Sequence, residues 1–564
     1  MRPSALVLNI AVLIAAPPAA VAGDPLRLIP DESGIVVVCP NLDDLQQHVR
    51  SLGKALDVDD LADWQVSEMF DDIDLFDSTT GLDQNGALLI AISPDFQPLV
   101  ICGLKEPDAW KAAVKARGDS GVLELRASGG DHYACIRDGF VAVAADEELI
   151  EAVLSTKGVL AERVRAQAEK FRSKRSVYVY IELPALRVAI GQGIELLLGF
   201  MQAGMQMAAS GPDAEAGLQF WRYVFNLLRD IVAESESYAA ALRLGEEGVQ
   251  FEERVVFRKD GKFAAYLGRL KPAEAPLLRG LHDTGPLAVV GAEWTIDGKC
   301  DSALSSFMRE MLSAESMRKR VGEKFDEAVR MMCDLYNHMS GYSSSFEMTA
   351  DHRLRIQGYY YSADPAETFA RLKRCFEISP ELMAAQSAAV SCKVQTGVET
   401  VAGRECLRYD VEFATDDEAV RRVLETFYGS KMRIYVCQTD LGVYEVMADP
   451  ESARAALTAA LTKEAKPLAA SPRVTEALAR HTPRPQLIFM ADAVRITDFG
   501  LKIAGKLGIP APAIKWPDAP QPYVSYAGYL EPAAYRGELV IPIQPLQTIR
   551  KAIKSIEKPG AEKY

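Results

Sequence analysis

Two neighbouring carboxylates are the minimum for general acid and base work. Residues 447–461, MADPESARAALTAAL, offer Asp449 and Glu451 where an apolar run gives way to an alanine-rich helix. The arrangement recurs. SADPAETFARL at 362–372 has Asp364, Pro365 and Glu367, and ATDDEAVRRVL at 414–424 has Thr415 and Glu418. AADEELIEAVL at 144–154 has Asp146, and PNLDDLQQHV at 40–49 has Asn41. Each puts a side-chain oxygen where it can accept from the free N–H groups of a first helical turn. Pro450 and Pro365 fall at the first helical position, where a missing N–H costs nothing. Thr415 with Glu418, and Asp364 with Glu367, have capping-box spacing. A catalytic pair has no reason to recur at five helix starts, so these acids read as helix punctuation.

Other candidates are weighed the same way. DDIDLFDSTTGLDQNG at 71–86 holds Asp72, Asp74, Asp77 and Asp83, oxygen ligands of the kind calcium takes, without the glycine and acid positions of the twelve-residue calcium loop. It reads as a solvated loop. Ser343, Ser344 and Ser345 in GYSSSF would need a base, and only His338 and His352 are near in sequence. A polar turn before a strand is the reading kept. Cys333 and His338 lie five apart on a presumed helix, the wrong spacing for a shared face. The six histidines are scattered singly, and no dinucleotide, phosphate-loop, zinc-protease or serine-elbow motif is present. No catalytic residue is assigned, and no cofactor or metal is expected. LLLGFMQAGMQMAASG at 196–211 is rich in Met; Met201, Met205 and Leu198 can form an adaptable apolar face, with core or helix–helix packing as the preferred reading.

These residues sit on a repeated plan of apolar strand, polar cap and amphipathic helix. It opens at 33–56, 175–198, 286–312 and 485–508. Between the openers lie hairpins: Asp138-Gly139 within YACIRDGFVAVAA, Gly245 to Gly248, Asp260-Gly261, FEMTADHRLRIQGYYY and IYVCQTDLGVYEVMA. The stretch 301–339 reads as a long helix with Phe325, Val329, Met332 and Tyr336 on one side. The order of parts in 24–284 returns in 285–564, with an extra strand-helix unit near 390–428. The expected fold class is α+β: internally duplicated antiparallel sheets built from β-hairpins, with amphipathic helices packed on one face. The expected divisions are a leader at 1–22, halves at 23–284 and 285–555, and a flexible tail at 556–564.

The compartment follows from the N-terminus. MRPSALVLNIAVLIAAPPAAVAGDP has Arg2, an apolar run from Ala5 to Ala16, a break at Pro17 and Pro18, then Ala20-Val21-Ala22. That is a secretory signal with cleavage between Ala22 and Gly23. No later segment reads as long and apolar enough to span a bilayer, so the mature chain is expected outside the cytoplasm, periplasmic or extracellular. A net charge of -15 argues against nucleic acid and anionic headgroups as partners. Nine cysteines, odd in number and irregular in spacing, read as buried small hydrophobes, with one or two cross-strand disulfides left open.

LRLIPDESGIVVVCPNLDDL at 26–45, TGLDQNGALLIAIS at 80–93, YACIRDGFVAVAADEELIEAVL at 133–154 and ELVIPIQPLQTIRKAI at 538–553 together resemble large exported bacterial proteins grouped as domain-of-unknown-function families, of the kind common in planctomycete genomes. The resemblance implies export and a duplicated α+β fold, and brings neither an activity nor site residues. The expected function is a non-catalytic exported binding or scaffold protein. The alternatives are a carrier of a lipid-like hydrophobic ligand and a hydrolase with a site assembled from distant residues. The expected partner is an unknown protein or hydrophobic ligand.

Overall fold

Uninterrupted apolar runs such as IVVVC and FVAVA suit strands covered on both faces. A computed structural model places both in that setting. It describes residues 24–557 apart from 72–77, 119–120, 128–129, 172–175, 209–211, 272–276, 294, 297–322, 350, 352, 387–390, 417, 463, 465, 513 and 518. The leader, the Ala22–Gly23 cleavage point, the helix of the third opener and most of the tail lie outside the described residues.

Apart from a two-residue pair, Leu270–Lys271 with Thr295–Ile296, the strands in chain order are β1 (Ile35–Cys39), β2 (Leu88–Ile92), β3 (Pro98–Gly103), β4 (Leu123–Ala127), β5 (Gly130–Arg137), β6 (Phe140–Ala144), β7 (Val177–Glu182), β8 (Ser235–Gly245) and β9 (Gly248–Phe257). They continue as β10 (Ala288–Glu293), β11 (Gly341–Met348), β12 (Leu354–Tyr361), β13 (Ser391–Val401), β14 (Arg404–Ala414), β15 (Lys431–Gln438), β16 (Gly442–Ala448), β17 (Leu487–Ala491), β18 (Val524–Glu531) and β19 (Ala534–Pro542). The helices that matter here are α1 (Leu42–Leu56), α2 (Glu147–Ser155), α3 (Val159–Ala168), α4 (Leu183–Ala208), α5 (Pro212–Glu234) and α6 (Lys262–Leu267). Further along come α7 (Glu323–His338), α8 (Pro365–Gln386), α9 (Glu418–Tyr428), α10 (Pro450–Leu461), α11 (Pro472–Ala479) and α12 (Ala493–Lys506).

The chain forms two units. The first comprises residues 1–191, 232–258 and 534–550, and the second 192–231, 259–533 and 551–564. The expected division at 284/285 therefore falls inside the second unit. All ladders described are antiparallel. In the first unit the pairing order is β4-β5-β6-β3-β2-β1-β7-β8-β9-β19. In the second it is β13-β14-β15-β16-β12-β11-β10-β17-β18.

Successive strand residues point to opposite faces. In the first unit Val37, Cys39, Val100 and Val141 pack against Leu42, Leu45 and Val49 of α1. On the other face Val36, Leu89, Ile101 and Ala142 meet Ile150 and Val153 of α2 and Leu160 and Val164 of α3. The second unit is built the same way. Val289, Tyr444 and Val446 pack under Ala453 and Leu457 of α10 and Val474 and Ala477 of α11. Opposite them, Leu407, Tyr409 and Val436 meet Leu335 of α7 and Leu372 of α8. Helices thus cover both faces, which corrects the expectation of one. The apolar runs demand it, because a strand with one wet face would alternate.

Local signals largely hold. Asp138 (φ 53°) and Gly139 (φ 84°) make the left-handed pair of a two-residue hairpin turn between β5 and β6. Asp260-Gly261 is not a hairpin: Gly261 precedes α6, whose KFAAYL buries Ala264 and Leu267. GYSSSF is not a turn either. It lies within β11, with Ser343 opposite Gly291 and Ser345 opposite Val289.

Candidate functional site

The acids at helix starts cap those helices. Asp449 accepts from Ser452 N at 3.0 Å, Asp364 from Glu367 N at 3.0 Å, Asn41 from Asp44 N at 3.0 Å and Asp146 from Glu148 N at 2.9 Å. Asp492, not singled out from sequence, does the same for Arg495 N at 3.1 Å. Asp72, Asp74 and Asp77 lie outside the described residues. Asp83 accepts from Asn85 N at 3.1 Å and pairs with Lys105 at 2.9 Å, as a turn residue does.

The serine and Cys/His candidates are not brought together. Ser344 Oγ donates to Gln357 O at 2.8 Å, and Ser343 Oγ accepts from Tyr361 Oη at 2.8 Å. His352 lies outside the described residues. Cys333 is buried while His338 is exposed, its Nδ1 2.9 Å from Asp334 O. Among the described residues no group of three or more His, Cys, Asp or Glu side chains converges as a metal site would require. Burial pushes the thiols of Cys39 up to about 12 and of Cys135 and Cys375 up to about 11, so none of these three is a poised nucleophile.

The densest polar chemistry lies between the layers of the second unit. Across β11, β12 and β16, Glu347 pairs with Arg355 and accepts from Gln357 Nε2 at 3.0 Å. Tyr444 Oη donates to Gln357 Oε1 at 2.9 Å. Glu293 pairs with Arg279, whose guanidinium stands 4.0 Å over the Tyr361 ring. On the opposite face, burial pushes the Glu445 carboxyl up, and Tyr360 Oη donates to it at 2.6 Å. Burial also pushes the Tyr360 and Tyr342 hydroxyls up, so the group beside Glu445 holds no ready base. Two surface hollows among the described residues are polar. One of about 260 Å³ is lined by Arg27, Arg137, Lys157, Glu162 and Arg165, and another by Asp351, Arg353, Arg422, Glu425 and Lys506.

The surface feature that stands apart is apolar. In α4, Leu183, Leu186 and Ile194 are buried along one stripe. Elsewhere on the helix Val188 is exposed by 74%, Leu196 by 63%, Leu197 by 52% and Phe200 by 69%. Trp221 and Leu228 of α5 are exposed as well, and the Trp221 and Phe225 rings lie 6.2 Å apart. Within this arm Arg229 pairs with Glu195 at 3.5 Å and Arg222 donates to Gln202 at 3.3 Å. The sequence reading gave Leu198, Met201 and Met205 to core packing. Leu198 and Met201 are half-buried and the Met205 side chain is outside the described residues, while Leu196, Leu197 and Phe200 beside them face solvent. The signal was available: LLLGF is apolar on consecutive positions, and consecutive positions cannot share one buried stripe.

By length and composition Leu183–Ala203 is one described helix able to cross a membrane, although no segment after the leader was expected to qualify. It carries Arg187 and Glu195, and a charge at the centre of a spanning helix costs about 3 kcal/mol. Comparison with protein-family models, curated proteins and solved structures returns no match.

Proposed function

We propose that the chain is an exported, non-catalytic binding protein that presents the α4–α5 arm to an apolar surface of a protein partner. The observation that carries this is the exposure of Leu196, Leu197 and Phe200 on one helix, with Trp221 and Leu228 exposed on the next. Large exposed apolar groups in contiguous array mark interaction sites, whereas single ones need no explanation. Export rests on the leader with its Ala22–Gly23 cleavage point and on the resemblance to exported bacterial families. Internal duplication is part of the same reading. Outward from β1 run β2, β3, β6, β5 and β4, and outward from β10 run β11, β12, β16, β15 and β14, with β13 added at the end. On the other side β7 and β8 match β17 and β18. The added β13 falls in the extra unit read near 390–428.

The same exposed helix favours a second reading, a carrier whose ligand is lipid-like. Native mass spectrometry of residues 23–564 separates the two, run beside a Leu196→Glu/Phe200→Glu double variant. A second-protein or second-copy adduct lost in the variant at unchanged melting temperature supports the binding reading. Adducts of lipid mass lost in the variant move the reading to the carrier. Identical spectra for both chains, without adducts, count against both.

A further inference from the structure

We propose that Cys406 and Cys437 are a modification site, a thiol pair that closes to a cross-strand disulfide between β14 and β15. The two residues are direct partners in the β14–β15 ladder. Directly opposed residues in an antiparallel pair have Cα atoms about 4.5 or 5.5 Å apart, according to the hydrogen-bonding class. Both spacings lie inside the range of about 4.4–6.8 Å that a disulfide spans, so no backbone movement is needed. Cβ atoms of directly opposed residues also leave the sheet on the same side. Both side chains are buried in the core beneath α10, close enough to influence each other electrostatically.

No other pair of described cysteines meets these conditions. Cys39 and Cys102 share a face, but Leu88 stands between them, opposite Cys39 on one side and Cys102 on the other. Cys102 and Cys135 belong to opposite faces, in separate cores. Cys333 and Cys375 sit on α7 and α8, where no ladder opposes them.

In the packed core each thiol donates to a backbone carbonyl, Cys406 Sγ to Arg404 O at 3.6 Å and Cys437 Sγ to Glu405 O at 3.7 Å. With a low-molecular-weight disulfide as oxidant, such as oxidised glutathione, the thiolate of one cysteine attacks one sulfur and expels a thiolate. The mixed disulfide is then attacked by the sulfur of the other cysteine, which loses its proton and expels the second thiolate. The S–S bond of the oxidant is broken and one is formed in the protein. The protein loses two electrons and two protons, and the oxidant becomes two thiols. Both sulfurs are shut off once the core is packed, so the exchange belongs to folding, before α10 covers β14 and β15. The bond would tie down β14, the described partner of the edge strand β13.

Where the chain meets its oxidant rests on the export reading, and the test separates the two claims. The full chain is unfolded, reduced and refolded in a glutathione buffer, then alkylated in denaturant without reductant and digested with trypsin. The expected product is Glu405–Arg408 joined to Ile434–Arg454, two hydrogens lighter than the sum of the free peptides. Reduction should lower the melting temperature by about 5 °C. Cys437→Ser should leave Cys406 fully alkylated, while Cys102→Ser should still give the joined peptide. Complete alkylation of both cysteines in the refolded wild-type chain overturns the proposal, whatever the variants do. A joined peptide formed on refolding, with the chain itself recovered from cells only in the cytoplasmic fraction, keeps the disulfide and removes the export reading.

Discussion

Replacing Asp449 by Ala tests the distinction between a cap and a catalytic acid. Its carboxylate accepts from Ser452 N at 3.0 Å at the start of α10, with Pro450 filling the first helical position. Removing such an acceptor costs about 1 kcal/mol. The negative charge adds a smaller contribution, roughly 0.3–1 kcal/mol, from the helix dipole. Asn keeps the acceptor and loses the charge. The expected order of stability is therefore wild type, then Asp449→Asn, then Asp449→Ala, with the last about 1–2 kcal/mol below the first. α10 lays Ala453 and Leu457 on the core of the second unit, so fraying at its start is felt there. Urea titration followed by far-ultraviolet circular dichroism reads the shift as a lower midpoint at unchanged slope. Equal midpoints for Asp449→Ala and wild type would refute the capping argument. So would loss of a binding activity in Asp449→Asn at unchanged midpoint, since that would give the charge a role outside the helix.

Three further substitutions probe other parts of the structure. Gly248 has φ of +126°, and a Cβ there would run into the carbonyl oxygen of Ile541 on the paired β19, so Gly248→Ala should cost about 2 kcal/mol or more in thermal or urea melts. Tyr444→Phe strands the buried Gln357 Oε1 without its 2.9 Å donor and should cost about 1–3 kcal/mol, while a neutral result would place a water there. Asp31 links the chain start to α3: slight burial works against its ionisation, but the N–H groups of Leu160, Lys157 and Val159 outweigh it and hold the carboxyl below its ordinary 3.8. A carboxylate lowered on folding stabilises fully above its unfolded value and loses that contribution as pH falls through the folded value. The stability gap between wild type and Asp31→Asn should therefore be largest near neutrality and close between pH 4 and pH 2, and a gap independent of pH contradicts the assignment.

Much of the plan was legible because it is written in local chemistry. Asn41, Asp146, Asp364 and Asp449 announce helix starts through one side-chain oxygen, and Asp138-Gly139 announces its hairpin through backbone conformations that few residue pairs tolerate. Signals that depend on tertiary partners misled. Asp260-Gly261 looks like a hairpin turn until the helix-forming KFAAYL after it is packed through Ala264 and Leu267. The serines of GYSSSF look like a turn because serine is weak in strands. In β11 their cost is met by partners distant in sequence, such as Tyr361 for Ser343 and the Gln357 carbonyl for Ser344. The facing of Cys406 and Cys437 could not be read at all, since it depends on the register of β14 against β15.

The two kinds of unusual residue in this chain call for different explanations. The buried charges of the second unit are tied to one another: Glu347 to Arg355 and Glu293 to Arg279, with Tyr361 and Tyr444 bridging neighbouring strands. Among these groups Glu347 Oε2 and Ser345 Oγ lack a partner among the described residues. Such a network adds little net stability, because desolvating its charges offsets much of their attraction. It does penalise a wrong register, since a slip of one residue would send Glu347 and Arg355 to the opposite face, among Leu335 and Leu372. The polar network thus has a role in holding the register of β11 and β12. The α4 arm has no such account. Val188, Leu196 and Phe200 gain nothing for the fold by facing water, and polar residues at those positions would serve the helix as well. On the binding reading proposed above, what covers this apolar area is the partner, and the α4 and α5 residues are where that reading is tested.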